Sequence, residues 1–164
     1  GAPVWYGEEG NAPIHEIQFG ASVFKFEKDA GQKLICLIPV PANYIAGRQI
    51  TAFIRSYSPG TSLNYKFQIV STLIRKNLDA MNSTANQETI NSGDILNAAP
   101  AYRMREHAIA LTSAVGVIGT SPGPGVPVAP LDTIKLELTR ITTTGSEDLE
   151  DMRFVPSLME VTFS

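Results

Sequence analysis

From Asp132 to Ile141 the chain alternates without a break: Ile134, Leu136 and Leu138 take one parity, Lys135, Glu137 and Thr139 the other. Successive side chains of a strand leave opposite faces, so this run fits a strand with one face on a core and the other in water. A turn rich in Thr, Gly and acid follows, and apolar positions resume from Phe154 to Phe163. Two such segments predict a domain whose last strand is locked into a sheet. Gly1-Ala2-Pro3, without an initiator Met, reads as cut from something longer. The expectation is a β-domain displayed at the end of a longer protein.

Helix signals are nearly absent elsewhere. Strands are predicted at Val23–Phe26, Lys33–Val40, Arg48–Ser58, Asn64–Arg75, Arg103–Thr112, Thr133–Ile141 and Phe154–Phe163. Gly, Pro and Asn separate them, as in Asp29-Ala30-Gly31 and Ser58-Pro59-Gly60. About eight short strands punctuated this way read as an all-β, antiparallel sandwich of two packed sheets. Residues 1–164 form a single domain, with 1–20 as an N-terminal lead-in and 21–164 as the sandwich. Phe24 and Phe26; Ile50, Ala52 and Ile54; Tyr65, Phe67 and Ile69; and Met159, Val161 and Phe163 each recur with period two. These sets would line two inner faces about 10 Å apart.

Composition removes several classes of function. A net charge of −3 with no Lys/Arg run argues against nucleic acid, since phosphate binding needs clustered cations. Residues 107–131 lack Asp, Glu, Lys and Arg, but four prolines follow the apolar part and a membrane span needs about 20 apolar residues. The single cysteine, Cys36, permits no intrachain disulfide or zinc ribbon and reads as a buried strand residue. His15-Glu16 lacks the second histidine of a zinc-protease helix, and His107 shares the parity of Ile109 and Leu111. No catalytic residue, metal ligand or cofactor site is assigned, and the chain is read as a non-enzyme. Glu147, Asp148, Glu150 and Asp151 form an acidic turn, either solvated or able to offer oxygens to Ca²⁺.

The outer faces are less polar than a monomer needs. Leu34–Val40 is apolar on both parities, and Phe53 and Tyr57 take the outward parity of their strand. Either loops or another subunit must cover them. Ile35, Leu37, Phe53 and Tyr57 are therefore the candidate oligomer interface, with a homotrimer expected.

Lys76–Tyr102 is the longest irregular stretch, and loops beyond about 15 residues are uncommon unless functional. It is either a crossover, with one helical turn around Ser92–Asn97, or a ligand-binding loop, and the two are compatible. Sugars stack on exposed aromatics while amides, acids and guanidinium groups satisfy hydroxyls. The candidate ligand-binding residues are accordingly Tyr102, Arg103, Asn82, Asn86, Asp94, Trp5 and Tyr6. Trp5-Tyr6 has a second reading, a peg that holds the N-terminal segment to the body.

Three segments together carry a resemblance. Leu37-Ile38-Pro39-Val40-Pro41-Ala42-Asn43-Tyr44-Ile45-Ala46-Gly47 resembles a "v-x-V-P-x-x-Y-x-x-G" turn, Val126–Arg140 a "pGD-x-l-x-l-x-l-x-R" strand, and Asp151–Phe163 its closing strand. This set, over roughly Phe24 to Phe163, resembles the jelly-roll head domain of phage tail fibres and related trimeric bacterial surface fibres. One departure is that Ala129-Pro130-Leu131-Asp132 lacks the glycine expected before the acid. The resemblance implies a homotrimeric, adhesive or receptor-binding head that recognises a cell-surface ligand such as a glycan. It also implies an extracellular position at the tip of a virion or bacterial fibre. The alternative is a structural trimerisation cap without a ligand of its own.

Overall fold

A computed structural model describes residues 3–119 and 124–163. Part of the Pro-rich segment around Pro122 lies outside the described residues. In chain order the strands are β1 (Trp5–Gly7), β2 (Ile14–Gln18), β3 (Ala21–Phe26), β4 (Lys33–Pro39), β5 (Thr51–Tyr57), β6 (Asn64–Ile74) and β7 (Gln87–Asn91). They continue as β8 (Ile95–Leu96), β9 (Arg105–Ala110), β10 (Val117–Ile118), β11 (Val126–Pro127), β12 (Thr133–Ile141), β13 (Met152–Phe154) and β14 (Glu160–Thr162). A 3₁₀ turn at Pro156–Leu158 interrupts what would otherwise be one strand from β13 to β14.

Among the described residues these form two large antiparallel sheets and a separate two-stranded β10-β11 ribbon. The first runs β1-β4-β12-β6-β7, with β8 continuing β7 along the same edge of β6. The second runs β2-β3-β13-β5-β9, with β14 continuing β13 along β5. Set aside the separate β10-β11 ribbon, count β7 with β8, and β13 with β14, as single strands, and number from β3. The second sheet then reads 1-8-3-6 and the first 2-7-4-5. That interleaving is a jelly roll.

The core follows the alternation. β12 buries Ile134, Leu136, Leu138 and Arg140 on one parity, against Leu34, Cys36 and Ile38 of β4 and Phe67 and Ile69 of β6. Opposite them lie Phe26, Ala52, Ile54, Ile109 and Phe154 of the second sheet. Phe26 meets Phe67 edge to face at 5.6 Å, joining the two sheets. Burial pushes the Cys36 thiol far above its usual range, so it is a packing residue.

Three expectations change. The lead-in is built into the sandwich, since β1 pairs β4 and β2 pairs β3. The long stretch 76–102 holds β7 and β8 in place of a helical turn at Ser92–Asn97. Gln87-Glu88-Thr89-Ile90-Asn91 is an edge strand whose one large apolar residue, Ile90, meets the core, so it carries too little alternation to read. Outward-facing Tyr57 is only 4% exposed because its own chain covers it, which removes it from a subunit interface.

The Asp132 turn supplies its missing glycine by strain. Leu131 takes φ +71° and is 52% exposed, so nothing in its packing requires a leucine. Asp132 then accepts hydrogen bonds from the amides of Ala129 and Lys76, both at 2.9 Å. A left-handed conformation costs a branched side chain roughly 1–2 kcal/mol, while glycine's extra backbone entropy offsets part of that. Leu131→Gly should therefore stabilise the fold by about 0.5–1 kcal/mol in a denaturant titration. Destabilisation would show that the leucine contributes packing.

Candidate functional site: an aromatic corner on the second sheet

β2 and β3 are joined by Phe19-Gly20, with Gln18 paired to Ala21. Both turn residues have positive φ, 52° and 79°, the requirement of a type I′ hairpin. Asn or Asp normally takes the first of these positions, where a ring bears the left-handed penalty. Phe19 is nevertheless 72% exposed, so core burial does not compensate that strain.

A second ring arrives from the other direction. Tyr102 also has a left-handed backbone, φ 63°, and its amide donates to the Ser58 carbonyl at 2.9 Å. Its side chain is 45% exposed and meets Phe19 edge to face, with centroids 5.0 Å apart and an angle of 77°. Beneath both sits Tyr57, 6.0 Å from Phe19 and 6.2 Å from Tyr102. Tyr57 packs with Val23 and Val155 on the outer side of the sheet and donates its hydroxyl to Gln18 Oε1 at 2.6 Å. Burial raises the Tyr57 phenol above its usual range, so it stays a neutral donor. Beside it, Arg153 Nε donates to Glu16 Oε1 at 3.2 Å. Two exposed rings on a buried third, with amide and ion-pair groups alongside, form an amphipathic corner.

Buried polar groups hold the loops beneath. Asp148 Oδ2 accepts from Ser58 Oγ at 2.7 Å and Asn97 Nδ2 at 2.5 Å, while Oδ1 accepts from the Glu150 amide at 2.9 Å. A Cβ at Gly60 would lie 2.5 Å from Asp148 Oδ2, so the turn after Ser58 admits only glycine at this close approach. The expectation of a solvated acidic turn is thus corrected at Asp148, which is buried because Ser58 and Asn97 require an acceptor. Among the described residues no group of three or more His, Cys, Asp or Glu is placed to hold a metal.

Of the sequence candidates, Tyr102 stands at this corner and the exposed Arg103 follows it. Asp94 is a structural tie, accepting from the Thr144 and Gly145 amides at 2.9 and 2.7 Å, and those bonds hold its carboxyl below the usual range. Asn82 and Asn86 follow Ile74, at the end of β6 remote from Asn64, so the register separates them from Tyr102. Trp5 is buried against Phe154 at 5.2 Å, the peg of its second reading, and is corrected as a ligand contact. Tyr6 faces outward on the first sheet beside Ile35. Sequence reasoning missed Phe19, Gln18 and the buttress role of Tyr57. The available signal was the Phe19-Gly20 pair directly after Ile14–Gln18, an exposed ring beside a turn-forming glycine.

Two other features compete for attention. His15 Nε2 and Ser22 Oγ lie 2.6 Å apart, a base beside a hydroxyl. The adjoining Glu16 leaves the opposite face toward Arg153, so it cannot orient that imidazole. A groove of about 790 Å³ lies between β14 and the ends of β1 and β4, lined mainly by Val4, Ile38, Met159, Val161 and Phe163. Its lining is mostly apolar, with Ser157, Glu160 and Thr162 as its polar side chains, and it presents no exposed aromatic pair.

No protein-family model and no curated protein matches the chain. Among solved structures, it is similar to Xyl-CBM35 in complex with a glucuronic acid containing disaccharide, at 12% identity and a TM-score of 0.41, covering 96% of each chain. It is also similar to CBM35 from Cellvibrio japonicus Abf62, at 13% identity and a TM-score of 0.38, covering 97% of this chain and 96% of that one. Neither is a fibre head, so these likenesses lend the fibre parentage no support. The jelly-roll assignment rests on the strand order.

The Asp148 ties generate a stability prediction. Asp148→Ala would leave the Ser58 hydroxyl, the Asn97 amide and the Glu150 N–H without their acceptor. Buried unsatisfied groups cost about 1–3 kcal/mol each, with relaxation and water entry reducing the sum. A loss of about 2–4 kcal/mol is expected in denaturant unfolding. A loss under about 0.5 kcal/mol would mean that these loops do not depend on the carboxylate.

Proposed function

We propose that this domain is a non-catalytic carbohydrate-binding head whose ligand is held at the Phe19–Tyr102 corner. The observation that carries this reading is the pair of exposed rings mounted on strained, left-handed backbones, where a fold selected for stability alone would place polar residues. Sugars present apolar C–H faces to aromatic rings and hydroxyls to amide and guanidinium groups. Gln18 and Arg103 supply such groups next to the rings in sequence.

The same reading keeps the domain as an adhesive end of a larger assembly at a cell or virion surface. Val4, Tyr6, Ile35 and Leu37 are not buried and lie on β1, β4 and the residue before β1, with Tyr6 directly opposite Ile35. Leu37 is 44% exposed, and the patch adjoins the apolar groove at Val4. Phe53 lies on the other sheet, half-buried. A cyclic trimer joins unlike patches of neighbouring subunits, so apolar groups on opposite sheets suit it better than a two-fold dimer.

A glycan array on the purified protein tests the ligand. Phe19→Asn removes a ring while placing a favoured residue in the I′ turn, so it should keep or raise the thermal midpoint. It and Tyr102→Ala should each lower array binding at least tenfold, because a stacked aromatic typically dominates a small site. Full binding by both variants would remove the corner from the function.

Assembly is tested by light scattering. The parent should run near three times 17.7 kDa, and Leu37→Asp should return it to a monomer. A monomeric parent at high micromolar concentration would end the trimer proposal.

A further inference from the structure

The shape of the corner limits what kind of carbohydrate can occupy it. Phe19 and Tyr102 stand at 77°, with centroids 5.0 Å apart, so the edge of one ring rests on the face of the other. Tyr57 is inclined to them by 47° and 64°, and it is covered. No two of these rings are parallel. A flat ribbon of sugars presents a single plane and can lie on only one of two perpendicular rings. The centroid separation is also about one pyranose ring's width, so two neighbouring sugars of a chain cannot each take a ring.

The geometry is fixed on both sides. Phe19 is set by the I′ turn and Tyr102 by the hydrogen bond its backbone N–H donates to the Ser58 carbonyl, and the Tyr57–Gln18 hydrogen bond holds the floor to the hairpin. A corner of this kind receives one compact ring, with its C–H face on one wall and its edge on the other. The Gln18 carboxamide accepts from Tyr57 through oxygen and keeps its own N–H donors for sugar oxygens.

We propose that the Phe19–Tyr102 corner binds a single terminal sugar residue of a soluble glycan, in place of the interior of a chain or the face of a crystalline polysaccharide. This rests on the glycan-binding reading above. The test uses three probes: microcrystalline cellulose and chitin in a pull-down, a panel of soluble glycans grouped by terminal residue, and the best soluble binder extended by one sugar at its non-reducing end. The expected result is no adsorption to either solid, array signals that sort by terminal residue, and at least a tenfold loss on extension. Phe19→Asn should abolish the soluble signal while the protein stays folded. Adsorption to a crystalline polymer that depends on Phe19 and Tyr102 would overturn the terminal-sugar inference and leave glycan binding standing. Affinity that rises with chain length whatever the terminal residue would do the same. No binding to any probe would overturn both.

Discussion

Arg140 leaves β12 on the parity of Leu138 and carries its charge into the interior of the sandwich. Its guanidinium donates to the carbonyl of Phe26 at 3.3 Å, to that of Glu150 at 2.7 Å, and to that of Asp148. Burial lowers its pKa, and the acids Glu147, Asp148, Asp151 and Asp29 oppose that shift, so the cation persists. A buried charge is tolerated only when such groups surround it. The polypeptide after β12 has to wrap the guanidinium, and that requirement shapes the acidic turn. From there the bonds run outward. The Asp148 carboxylate takes the Ser58 hydroxyl, and the Ser58 carbonyl takes the Tyr102 amide. The corner is thus tied to a core charge by three consecutive hydrogen-bonded steps.

Left-handed backbone recurs at three large, exposed side chains. Leu131, Phe19 and Tyr102 all have left-handed backbones. At Leu131 the benefit is visible, because the turn aims the Asp132 carboxylate at two amides. At Phe19 and Tyr102 the turns would close as well with asparagine or glycine, and the rings meet mainly each other, Tyr57 and water. Strain and exposure are common to all three, and what sets Phe19 and Tyr102 apart is that their rings meet each other above the buried Tyr57.

The strands were legible wherever both faces of a sheet had contrasting partners. Thr133–Ile141 is predicted and found with the same bounds, because every second residue enters the core. Gln87–Asn91 was not legible, since an edge strand over a loop-rich margin buries little. β13 and β14 read as one strand because the parity of Met159, Val161 and Phe163 carries no sign of the 3₁₀ turn at Pro156. The site was half legible. Tyr102 stands out as an aromatic closing a polar stretch. Its partner Phe19 lies 83 residues earlier in the chain and meets it only because a hairpin and a crossover loop converge on Tyr57. Such convergence belongs to the topology, and no local pattern encodes it.

The topology also sets how the proposed ligand corner and the proposed subunit contact would divide the surface. In a jelly roll the two sheets turn their outer faces in opposite directions, so the Ile35–Leu37 patch on β4 and the Tyr57 floor at the end of β5 look away from each other. A subunit seated on the first sheet therefore leaves the corner of its own protomer open. Phe53, two rungs from Arg55 on β5, is where a neighbour's patch would meet the second sheet. Arg55 is held there by Glu106 and by the Leu158 carbonyl. Those ties lie between Phe53 and Tyr57, and they place a charged, hydrogen-bonded strip between an apolar contact and the aromatic corner. Desolvating that strip would cost more than its exposed ion pair returns. An interface that began at Phe53 would accordingly stop before it reached the Phe19 and Tyr102 rings.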